Sequence, residues 1–176
     1  MNNQEFNEVL NKALNDLQYV PIPDLSLPDS LLALSHEYFL QVNRWKNEKS
    51  LKLLQTMLNQ LVTVEAQYKA LMYGIEPIST MDFIHNRIID VLRAKGDGYS
   101  LGNDRLHNFK QAYKICGGLN SIMCCRAFKL KHDTSIHDII YSSQVPAELE
   151  VINEKFGDAI NYLILEMAIV TEGDWR

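Results

Sequence analysis

The stretch PAELEVINEKFGDAINYLILEMAIV, residues 146–170, decides the fold. Its apolar positions, Val151, Ile152, Phe156, Ile160, Leu163, Ile164, Met167 and Ala168, recur at helical spacing and occupy a wide stripe, which marks a central core helix. Pro146 suits the first turn, where its missing N–H costs nothing, and the pattern runs to about Val170. Glu150, Glu154 and Asp158 follow at four-residue steps and line one face of the same helix. Like charges this close repel, so the row needs compensation from Lys155, from solvent, or from a hard divalent cation such as Mg²⁺. The competing reading is a solvated acidic face near a helix N-terminus, where the dipole favours negative charge.

Working back along the chain, Phe6, Val9, Leu10, Ala13, Leu14 and Leu17 form one stripe and predict a short amphipathic helix from Asn2 to about Tyr19. Pro21, Pro23 and Pro28 then fix φ and remove backbone donors, so this segment is extended or turned. A second helix is expected to start near Asp29 or Ser30. The third, from about Glu48 to Tyr73, sets Leu54, Leu58, Leu61, Glu65, Tyr68 and Met72 along a seam for another helix. That seam packs inside the monomer or forms a homo-oligomer interface.

GIEPIST, residues 74–80, breaks the pattern because Gly74 can end a helix in the left-handed conformation and Pro77 cannot continue one. It divides an N-terminal helical region, residues 1–75, from a helical domain, residues 76–176. Ser79 or Thr80 is the expected cap of a helix that carries Ile84, Ile88, Val91 and Leu92 and ends at Gly96. After the loop GDGYSLGN, Asp104 can cap a helix closed by Gly117 and Gly118, and another helix, SIMCCRAFKLKH, follows. No β-branched alternating run is paired with a hairpin turn. The expected fold is therefore all-α, a helical bundle with an additional N-terminal helical region.

With 176 residues, 47% of them hydrophobic, the chain can bury a substantial core without disulfides or structural metal. A formal charge of −5 argues against general nucleic-acid binding, which needs a basic face, although a local basic pocket stays allowed. The three cysteines, Cys116, Cys124 and Cys125, form no CxxC pair and give neither a disulfide framework nor a zinc spacing. No run approaches the roughly 20 apolar residues that span a bilayer, and no secretory leader precedes the first helix, so a cytoplasmic location is expected.

Two further stretches could carry chemistry. KLKHDTSIHD brings Lys129, Lys131 and His132 together with Asp133 and Asp138, and lysine with histidine suits a phosphate. In DGYSLGNDRLHNFK, glycines permit close backbone approach, Tyr99 could stack on a base and Arg105 could clamp a phosphate. It is no P-loop, because GxxxxGK[ST] is absent, and its composition also fits an ordinary connector.

Three elements then stand in fixed order. They are Asp97 and Tyr99 with DRLHNFK at 104–110, Lys131 and His132 with IHDII at 136–140, and EKFGDAINYLIL at 154–165. This order resembles the phage-associated nucleotide modification associated domain 1 family, itself similar to the all-α MazG-like nucleotide pyrophosphatases, over residues 80–172. The resemblance implies a helical bundle that binds a nucleotide. Glu154 and Asp158, completed by Glu150, Asp133 or Asp138, would hold Mg²⁺ against its phosphates; Lys131 and His132 would approach phosphate; Asn161 and Tyr162 would support that face; Asp97, Tyr99 and Asn108 would close the pocket. Glu154, Asp158 and His132 would form the catalytic set of a nucleotide pyrophosphohydrolase. The pyrophosphatases carry an ExxE pair on the preceding helix, whereas NSIMCCRAFKLKH holds no acid, so hydrolysis stays open. The alternative is a non-catalytic counter-defence or host-takeover protein that binds a signalling nucleotide or a host protein.

Overall fold

The structure, a computed structural model, describes residues 1–45, 49–99, 102, 104–116, 120–141 and 147–173, without the side chains of 93–99, 113 and 116. Seven helices make up the described residues: α1 Asn3–Asn15, α2 Leu27–Arg44, α3 Leu51–Tyr73, α4 Pro77–Tyr99, α5 His107–Cys116, α6 Ser121–Tyr141 and α7 Leu149–Glu172. The all-α expectation holds. Helix α7 is central and packs against α1, α3, α4 and α6, while α2 lies on α3 and α5 on α6. One apolar cluster runs from Phe6 to Ile169 and takes residues from both sides of the 75/76 boundary, so the two halves share a core.

Helix ends follow local chemistry. Asn2 and Glu5 exchange a capping box at α1. Helix α2 starts before the expected Asp29 or Ser30, because Ser26 accepts from the Asp29 N–H and Pro28 falls in a first turn that needs no donor from it. The same tolerance moves the start of α4 to Pro77, so neither Ser79 nor Thr80 caps it; Thr80 is buried one turn in. Gly74 closes α3 at φ 67°, as its place before the break implied. Helix α4 continues through Gly96 and Gly98 to Tyr99, so the expected loop begins later and those glycines are helical, at roughly 1 kcal/mol each relative to alanine. Helix α7 starts at Leu149; Pro146, Gly117 and Gly118 lie outside the described residues.

The proline segment between α1 and α2 finds its partners in side chains. Gln18 N donates to Asn59 Oδ1, Val20 N to Thr63 Oγ1 and Ile22 N to Ser30 Oγ, which straps the segment across α3. The α3 seam is consumed inside the chain: Leu54, Leu58, Leu61, Glu65 and Tyr68 are buried, and only Met72 at its end is exposed.

Glu65 breaks the apolar rule of that seam and is fully buried. Its carboxylate accepts from Lys69 Nζ at 2.6 Å and from both Arg87 Nη atoms at 2.8 and 2.7 Å. Arg87 Nη1 also donates to the Asn153 carbonyl at 3.0 Å, which joins α3, α4 and α7 at one point. Gly157 makes room for this guanidinium, since a Cβ there would meet Arg87 Nε at 3.0 Å. Glu65→Ala leaves two cations in the crossing and should lower the unfolding free energy by about 3–5 kcal/mol in urea titration. Gly157→Ala, which in an open helix interior gains about 1 kcal/mol, should instead lose stability in the same measurement, because Arg87 is held from two sides and cannot yield.

Candidate functional site

The helical repeat brings two polar and apolar faces together. On α7, Asp158, Asn161, Tyr162 and Leu165 are spaced i, i+3, i+4, i+7; along the turn into α5, Arg105, Asn108, Phe109 and Ala112 repeat the spacing. These faces line one cavity of about 330 Å³, closed by Phe6 of α1, Val91 and Leu92 of α4 and Phe128 of α6. Five of the residues singled out from the sequence therefore converge: Arg105, Asn108, Asp158, Asn161 and Tyr162. The aromatic and aliphatic walls went unseen, because such residues read as ordinary core in a helical pattern.

Within the cavity the polar groups differ in how they are held. Asn161 is 7% exposed, and its Oδ1 accepts no hydrogen bond among the described residues. Tyr162 lies parallel to Phe128, with centroids 6.2 Å apart and planes 13° apart. Arg105 donates from Nη2 to the Leu92 carbonyl at 2.9 Å and lies 5.0 Å over the Phe6 ring. It thereby forms part of the wall of the cavity. Asp104 accepts from Leu106 N at 3.1 Å and pairs with Lys110, which also bridges to Glu172, and this sets the turn that presents Arg105 and Asn108.

At the rim, His132 Nδ1 stands 3.6 Å from Asp158 Oδ2, and its ring lies 5.8 Å from that of Tyr162. Burial holds the imidazole below its ordinary value, against the pull of Asp158, and the charges of Lys131 and Lys155 depress it further. His132 is then neutral at physiological pH and a weak partner for phosphate. Lys131 is exposed.

The acidic row does not close into a metal site. Glu150 sits exposed in the first turn of α7, where the helix dipole accounts for it. Glu154 is also exposed, and Lys155 pairs with it at 2.7 Å and lowers its pKa. Asp158 alone turns toward the cavity. Four-residue steps spread the carboxylates along the helix; on α6, Asp133 is buried against Lys129 and Asp138 is exposed. Among the described residues no three His, Cys, Asp or Glu side chains converge to hold a metal ion. The side chains of Asp97 and Tyr99 lie outside the described residues.

Lys129 and Asp133 leave the site altogether. Lys129 Nζ donates to Asp133 at 2.6 and 2.8 Å and to Tyr38 Oη at 2.6 Å, all three residues buried. Beside them Glu166 is 1% exposed, with neither oxygen hydrogen-bonded and Arg126 Nε at 3.9 Å. Desolvation raises its pKa from 4.5 to about 7, although Lys129 and Arg126 pull it down. An acid inside the run LILEMAIV, residues 163–170, was the available signal for this group. A larger, more open groove of about 760 Å³ lies at the α1–α3–α7 corner. Acids and lysines of both signs line it, among them Glu5, Glu8, Lys12 and Lys52, and none of the residues expected at a site does.

No family model, curated protein or solved structure matches the chain.

The buried Glu166 sets a pH dependence. Its folded pKa lies above its unfolded one, so between 4.5 and about 7 the fold keeps a proton that the unfolded chain has released. This contribution to stability is full below that window and lost as pH rises through it. Glu166→Gln should therefore raise the urea midpoint relative to the parent near pH 8 and change the difference little near pH 4, as read in paired titrations.

Proposed function

We propose that the chain binds a nucleotide, with the base inside the cavity between α4, α5 and α7 and the phosphates directed to the rim. The observation that carries this reading is the mostly apolar, aromatic-walled cavity itself, with Asn161 of α7 in its lining, a carboxamide whose Oδ1 has no hydrogen-bond partner among the described residues. Pockets of this kind take a flat apolar body and fix its orientation with a few polar atoms. Phe128 and Tyr162 offer ring faces to a base, and the π-face of any base stacks on such a surface. Lys131 and Lys155 lie near His132 at the rim, where they supply positive charge for phosphate oxygens.

The reading is one of binding without metal-dependent hydrolysis. Turnover of a phosphoanhydride through Mg²⁺ needs a set of hard oxygen ligands, and Glu150, Glu154 and Asp158 do not assemble one. What this chain's residues do is exclude water around the base, satisfy its polar edge and leave the phosphates solvated at the rim. Resemblance to the nucleotide pyrophosphatases then concerns the pocket and its bundle rather than the reaction.

Isothermal titration with a panel of nucleosides and mononucleotides tests this directly. Saturable binding should appear and persist in EDTA, and Phe128→Ala should weaken it by about tenfold, the loss of one stacking surface. Absence of binding across the panel overturns the reading; so does binding that EDTA abolishes, which would return the site to a metal.

A further inference from the structure

We infer that a second copy of this chain packs against the outer face of α6, helix against helix and antiparallel, in a reversible dimer; this stands apart from the nucleotide reading. Helix α6 carries two seams. Ile122, Cys125, Lys129, His132 and Ile136, at alternating steps of three and four, are buried and face the bundle. On the opposite side Met123, Ala127, Leu130, Thr134, His137 and Tyr141 alternate steps of four and three without a break, and all six are exposed. Met123, Leu130 and Tyr141 keep 45, 58 and 43% of their surface in solvent. Phe39 of α2 touches the rings of His137 and Tyr141 at one end of this stripe, which widens the patch and leaves both rings exposed. A helix with apolar seams on both sides is ordinarily covered on both, and a continuous apolar patch of this kind marks an interaction surface.

The charges beside the outer seam select the occupant and its direction. Lys131 and Asp138 flank it on the same side, seven residues and so two turns apart, and both are exposed. Among the described residues Lys131 makes no ion pair, and Asp138 has only the imidazole of His137 at 3.5 Å. Opposite charges so placed on one stripe are complementary to the same stripe reversed. With a two-fold axis between Thr134 and His137, Lys131 of each copy meets Asp138 of the other, twice by symmetry. The same register sets Leu130 on Tyr141 of the second copy and the small Thr134 against His137. Parallel packing would instead bring Arg126 against Lys131 of the second copy, like charge against like. One pair of helices that meet over about three turns buries little area, so the dimer is a weak one. Lys131 also stands at the rim in the nucleotide reading, whereas Leu130 and Asp138 belong to this face alone.

Sedimentation velocity on the full chain, from low micromolar to submillimolar concentration, tests this. The mass should rise toward that of two copies as concentration increases. Leu130→Glu, at an exposed position and checked for a native helical spectrum, should hold the mass at one copy throughout. Asp138→Lys exchanges two attractive contacts for two repulsive ones and should raise the dissociation constant about tenfold. Lys131→Asp combined with Asp138→Lys should return it to the parent value. A single-copy mass at every concentration overturns the inference; so does a dimer that neither Leu130→Glu nor Asp138→Lys weakens, which would lie on another face. If the double reversal fails to restore an association that Asp138→Lys has weakened, the antiparallel arrangement is overturned.

Discussion

A carboxylate cut off from water sits where α3, α4 and α7 cross, and the geometry of the molecule is organised around keeping it paired. Glu65 costs a great deal to bury alone, so Lys69 and Arg87 must both reach it, and Arg87 can do so only by passing over α7 at Gly157. The guanidinium also holds the Asn153 carbonyl, which fixes α4 against α7 in rotation and in height. One turn further along α7 come Asp158 and Asn161, and one turn further along α4 come Val91 and Leu92. The cavity therefore inherits its shape from an ion pair that takes no part in it.

The bundle contains a second buried polar knot whose terms balance differently. Tyr38, Lys129 and Asp133 satisfy one another, but Glu166 beside them has a positive neighbour at 3.9 Å and no hydrogen bond among the described residues. Low dielectric strengthens the closed triad and penalises the open carboxylate in the same volume. Arg126 is shared between Glu166 and the face of Trp45, at 4.6 Å from the ring, so its charge serves two neighbours and saturates neither. The two knots differ in completeness, and that difference separates a fixed point of the fold from a group that responds to pH.

The fold was legible because α7 and α3 announce themselves through periodicity, which fold-level packing only has to obey. Errors fell at helix ends: proline in a first turn and glycine within α4 both obey local rules that read as breaks in the sequence. At the site, Asp158, which the acidic row singled out, and Asn161 and Tyr162, to which only the family resemblance pointed, line one wall of the cavity. Glu154 lies at the surface beside Lys155, since an acidic row says which residues share a helix face and leaves open which of them a neighbour pairs with. The opposite walls came from Phe6, Val91, Leu92 and Phe128, distant in sequence and indistinguishable from core until the helices are docked. Lys129 looked like a phosphate partner for the same reason, since only tertiary structure sets Tyr38 beside it.

Phe128 is 54% exposed while it lies against Tyr162, so one edge of the cavity is a single aromatic ring standing in solvent. Rotation of such a side chain is a picosecond to nanosecond event, far faster than any sliding of packed helices. Under the proposed binding reading, entry and exit would then turn on a rotamer rather than on movement of the helices. On that same reading, the mobility of that one ring would set how quickly a guest comes and goes, apart from the packed walls behind it.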